Sequence, residues 1–93
     1  MIFERFFTAG RKRRAASLVG IEARVLAECP VCRAITDTSH PERLAEADRI
    51  AAEWLVRGDE RLRIFHGDLE AVKRLVRRLV ADSDIHCSCE KSG

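Results

Sequence analysis

The chain has 93 residues, of which 46% are apolar and 34% charged, with a formal net charge of +2. That length fits one domain, residues 1–93, and that composition reads as soluble and globular rather than disordered. No apolar run approaches the ~20 residues that span a bilayer, so no transmembrane segment is expected.

The first segment, residues 1–14, places Ile2, Phe3, Phe6 and Phe7 on one helical face ahead of Arg11, Lys12, Arg13 and Arg14. Gly10 and the basic run are expected to break that helix. A secretory signal has the opposite order, basic before apolar, so the expected location is cytoplasmic. In a reducing compartment four cysteines point to metal or redox chemistry before disulfides.

Across residues 18–28, Val19, Ile21, Ala23, Val25 and Ala27 alternate with Glu22, Arg24 and Glu28, which predicts a strand. That strand delivers the chain to Cys29-Pro30-Val31-Cys32, and residues 34–36 return as the second strand of a hairpin. Leu18, Ile21 and Val25 also fit a helix, the alternative reading of this stretch.

Ser39-His40-Pro41-Glu42 has the pattern of a capping box opening a helix over residues 41–57. Leu44, Ala47, Ile50, Ala51, Trp54 and Leu55 recur at helical spacing, and Gly58 closes the helix. Residues 61–65 alternate and predict a strand. His66 and Gly67 then turn the chain, and Asp68 caps a second helix over residues 69–81. Its apolar face is Leu69, Val72, Leu75, Val76, Leu79 and Val80. Asp82-Ser83-Asp84 stops it, residues 85–89 are short and extended, and residues 90–93 form a loose tail.

The expected fold is therefore a small mixed α/β domain with an N-terminal hairpin, two helices and a short C-terminal strand, including one βαβ crossover. The alternative is a mostly α domain. Either carries the same expected staple.

That staple is a structural zinc ion held by Cys29, Cys32, Cys87 and Cys89. Cys-x-x-Cys is a frequent tetrahedral half-site, and Cys87-Ser88-Cys89 puts both thiols on one side of an extended segment. The first knuckle resembles that of zinc ribbons; the second departs from their usual Cys-x-x-Cys, so no family role is carried over. Four thiolates with one Zn²⁺ would bring the net charge to zero. His86 is a competing ligand, but in a strand it points away from Cys87. Iron–sulfur ligation and reversible use of the thiols as a metal or redox sensor are weaker alternatives. His40 and His66 have no paired ligand nearby in sequence and read as solvated.

The sequence shows no phosphate loop and no nucleophile elbow, and four sulfurs leave zinc no open position, so the chain is read as non-enzymatic. Two cationic clusters remain: Arg11, Lys12, Arg13, Arg14 and the stripe Lys73, Arg74, Arg77, Arg78. Residues 1–33 carry seven Lys/Arg against three Asp/Glu, residues 34–72 five against nine, and residues 73–93 five against three. Basic ends around an acidic middle predict an adaptor or regulator that meets nucleic acid through phosphates. The competing expectation is a protein-interaction module or homodimer formed through Phe3, Phe6 and Phe7.

Overall fold

The computed structural model describes the backbone of residues 2–85 and the side chains of residues 9–85. The first helix, α1 (Ile2–Glu22), does not break at Gly10. A Cβ at Gly10 would meet nothing within 4 Å, so glycine there costs only helix propensity, about 1 kcal/mol. The basic run supplies strong helix formers, and Ala15 and Ala16 continue them. The helix consumes much of the expected strand over residues 18–28. Buried Ala15, Val19 and Ala23 lie four apart, and this small-residue helical face overrides the short alternation.

A Schellman motif ends α1. Val25 N–H donates to Gly20 O at 3.0 Å and Arg24 N–H to Ile21 O at 3.1 Å, with Arg24 left-handed at φ +66°. Only then does the chain extend, as β1 (Leu26–Glu28) paired antiparallel with β2 (Ile35–Asp37). The register is Leu26 opposite Asp37, Ala27 opposite Thr36 and Glu28 opposite Ile35. The expected hairpin thus forms, one residue displaced on its return strand. Gly20 lets it dock: a Cβ there would stand 2.5 Å from Leu26 Cδ1.

Ser39 does not cap a helix. It sits left-handed at φ +63°, whereas an N-cap residue is extended, and its N–H donates to Asp37 Oδ1 at 2.8 Å. A 3₁₀ turn, Pro41–Arg43, leads into α2 (Leu44–Arg57), which buries Ala47, Ile50, Ala51 and Trp54. Gly58, at φ +69°, closes α2 with the same motif that ends α1: Gly58 N–H meets Leu55 O and Asp59 N–H meets Trp54 O.

The strand expected at residues 61–65 is instead a 3₁₀ helix, η2 (Glu60–Phe65). The Asp59 carboxylate accepts from Arg61 N–H at its start, and Leu62 and Phe65, three apart, enter the core together. Three-residue burial is the 3₁₀ period, and five alternating residues without a neighbouring strand gain no ladder bonds. Asp68 caps α3 (Leu69–Asp82) as expected, accepting from Ala71 N–H at 3.1 Å. Among the described residues the sheet is therefore a two-stranded hairpin and contains no βαβ crossover. The architecture is mostly helical: α1, α2, η2 and α3 share one core, with the hairpin laid on α1.

After α3 the chain returns to the hairpin. Asp37 N–H donates to Asp84 O at 2.9 Å. Residues 86–89, where the rest of the expected C-terminal strand falls, and the expected tail at residues 90–93 lie outside the described residues.

Candidate functional site

The hairpin loop is a six-residue connection, residues 29–34, closed by two backbone hydrogen bonds at Cys29. Cys29 N–H donates to Ala34 O and Arg33 N–H to Cys29 O, both at 2.9 Å. Arg33 is left-handed at φ +64°, which folds the loop back on itself. Cys29 is half-buried at its root and Cys32 is exposed within it. Both thiols of the Cys-x-x-Cys spacing are thus carried on one loop. Glu28 anchors the surroundings: it accepts from Arg14 Nη1 at 2.9 Å and from Arg33 Nη1 at 3.2 Å. The Arg14 guanidinium, seconded by Arg33, holds the Glu28 carboxyl below its ordinary range. Among the described residues no three His, Cys, Asp or Glu side chains are grouped to hold a metal ion. The other two expected ligands, Cys87 and Cys89, and the competing His86 lie outside the described residues.

The stripe on α3 is on the surface, but carboxylates answer most of it. Arg77 makes a two-pronged pair with Asp48 of α2, at 2.8 and 2.9 Å. This guanidinium lowers the Asp48 carboxyl below its ordinary range and raises Arg77 in turn. Lys73 Nζ lies 3.5 Å from Glu70 and Arg78 Nε 3.8 Å from Asp82. Arg74 is exposed, with no ion pair among the described residues.

The α1 cluster divides around its helix. Arg14 turns to the hairpin, and Lys12 Nζ stands 6.0 Å from the centre of the Phe65 ring. Arg11 and Arg13 are exposed and make no ion pair among the described residues. Arg13 borders a cavity of about 450 Å³ between α1, β2 and the end of α3, which Asp82 and Asp84 also line. Arg11 borders another, about 430 Å³, between α1 and η2.

Sequence reasoning passed over two cations of that second cavity, Arg61 and Arg63, because a strand was expected there; His66, read as solvated, lines the same cavity. The spacing Leu62–Phe65 was the available signal. Arg61 is fixed in place: its Nε and Nη2 hold both Asp59 oxygens at 2.9 and 2.8 Å, and its guanidinium carbon lies 3.6 Å from the Trp54 ring centre. Arg61 and the backbone N–H beside it hold the Asp59 carboxyl far below its ordinary range. His40 contacts Glu42 at 3.0 Å on the exposed rim, in keeping with the solvated reading.

Phe3, Phe6 and Phe7 fall on the first turns of α1, and their side chains lie outside the described residues. Among the described residues no helix is long and apolar enough to cross a membrane. Comparison with family models, curated proteins and solved structures finds no match.

Proposed function

We propose that the protein is a non-enzymatic, zinc-stapled adaptor that holds nucleic acid by its phosphates. The observation that carries the nucleic-acid part is the state of the cations on α1. Arg11 and Arg13 stand exposed without ion pairs among the described residues, while the α3 stripe is largely answered by Asp48, Glu70 and Asp82. Unanswered arginines on a rigid helix are free to displace counterions from a polyanion, the main source of non-specific affinity for nucleic acid.

The staple rests on Cys29 and Cys32 on their closed loop and on chain reach. Asp84 is bonded to the hairpin at Asp37. Cys87 follows three residues later and Cys89 five, distances of at most ~11 and ~18 Å. The knuckle begins only a few residues from Asp37 along β2, within that reach. Four thiolates would close the coordination sphere, so the zinc holds the chain together and leaves no position for a reacting water.

Purified protein should carry one zinc per chain and lose thermal stability on chelation. Titration with nucleic acid should give an affinity that falls with salt at a log–log slope of roughly −3 to −4. A metal-free protein indifferent to chelator removes the staple. No binding at low salt removes the nucleic-acid reading and leaves the Phe3/Phe6/Phe7 face as the basis of a protein-interaction module.

A further inference from the structure

The 3₁₀ helix η2 has a geometric consequence. At three residues per turn, side chains at i and i+3 eclipse. Leu62 and Phe65 make the column that enters the core. Glu60, Arg63 and, at the helix end, His66 continue a second column along the outside, and Arg61 heads the third. All four of these outer residues line the cavity that Arg11 borders from α1. Three guanidiniums and an imidazole thus face one concave surface that contains a single carboxylate, Glu60. A strand would have sent Arg61 and Arg63 to one face and left no concavity.

These side chains differ in readiness. Arg61 is held by Asp59 and by the Trp54 face, a pairing that does not employ its Nη1. Arg11 and Arg63 make no ion pair among the described residues, and His66 is exposed at φ +51° beside Gly67. The two walls are fixed relative to each other, because Ala15 of α1 and Leu62 and Phe65 of η2 belong to one core. Guanidiniums converging from two elements of one core, two of them without ion pairs among the described residues, suit a phosphate better than a surface stripe most of whose members face carboxylates.

We infer that the concavity between α1 and η2, through Arg11, Arg61, Arg63 and His66, is the principal phosphate seat for a nucleic-acid strand. This inference rests on the nucleic-acid reading and names its surface. The α3 stripe, largely answered by Asp48, Glu70 and Asp82, then lies outside the seat.

The test compares full-length wild type with three variants by titrating a labelled single strand and the matching duplex from about 50 to 200 mM salt. Arg11→Ala/Arg63→Ala should weaken binding about tenfold per contact at the low end and reduce the salt slope by nearly two. Arg74→Ala/Arg78→Ala should stay within about twofold of wild type. Arg11→Lys/Arg63→Lys should keep the slope, because the charge remains; far-UV spectra matching wild type confirm that each variant is folded. If the α3 variant loses binding and the Arg11/Arg63 variant does not, the concavity is overturned while the nucleic-acid reading stands. If wild type binds neither strand at low salt, both fall. Polyglutamate is the control for an acidic protein. If it binds wild type as tightly as nucleic acid does, and loses affinity in the same variant, the seat belongs to an acidic polypeptide and the nucleic-acid assignment is overturned.

Discussion

The helical part of the molecule and its hairpin are held by different means. In the helical part Val19, Leu62, Val72 and Val76 are at most 1% exposed, and α1, α2, η2 and α3 enclose one another. In the hairpin the residues of β2 are half-buried, Cys32 is exposed and Val31 is 80% exposed. The hairpin makes its principal apolar attachment through Val25 and Leu26, at the point where α1 ends. Burial therefore accounts for the first region and falls short for the second. The pair of thiols lies in the part that a hydrophobic core reaches least.

The strongest way to break the contrast is within the core. Leu62→Ala should cost about 2–5 kcal/mol in chemical denaturation, whereas Val31→Ala in the loop should cost almost nothing. Equal losses would mean that the knuckle is packed as tightly as the helices.

Gly20→Ala attacks the joint between the regions. The new Cβ would overlap Leu26 Cδ1 and crowd its Cγ, at 2.5 and 2.9 Å. Overpacking of about 1–3 kcal/mol outweighs the helix-propensity gain of about 1 kcal/mol, so a net loss is expected. Thermal melts that show stabilisation instead would reveal a loosely seated hairpin.

The two Schellman ends offer a matched pair. Arg24→Gly removes a side chain from a left-handed position and should stabilise by about 0.5–1 kcal/mol; Gly58→Ala should lose about 1 kcal/mol. Denaturant midpoints of the two variants should move in opposite directions. Movement of both the same way would show that the Arg24 side chain contributes more than its backbone costs.

The smallest effect is electrostatic. Asp48 joins α2 to α3 through Arg77, which depresses its carboxyl below the ordinary value of 3.8. A depressed carboxyl contributes stability above its unfolded value and loses it as the pH falls through the folded one. The pair is partly exposed, so its contribution is at most about 1 kcal/mol. Asp48→Asn should flatten the acid limb of stability below about pH 4, leaving neutral stability lower by that amount. An unchanged acid limb would assign acid sensitivity to other carboxylates, such as Asp59.

Legibility in the sequence followed the same division. The helices α2 and α3 were readable because their apolar residues repeat over several turns, and Gly58 and Asp68 punctuate them. The hairpin was readable from Cys-Pro-x-Cys flanked by short apolar runs. What misled was brevity. Residues 61–65 alternate, yet Leu62 and Phe65 also satisfy a period of three, and only the surrounding core decides between them. Residues 18–22 alternate too, but they continue a helix already established by Arg11 to Ala16. Ser39 and Glu42 have capping-box spacing, but Asp37 captures the Ser39 N–H and turns it left-handed. Cationic clusters could be located in the sequence, but not their partners: Asp48 lies 29 positions from Arg77, and no local pattern joins them.

The hydrogen bond from Asp37 to Asp84 also bears on the order of folding. It closes a loop of about 47 residues that contains all of α2, η2 and α3. The entropy of such a closure rises as the logarithm of loop length and is met only when the ends come together. The hairpin turn and the individual helices form from local contacts and need not wait for it. A cross-link that kept the ends of this loop near one another in the unfolded chain would thus speed refolding, and cutting the chain within the loop would leave two fragments whose reassembly depends on their concentration.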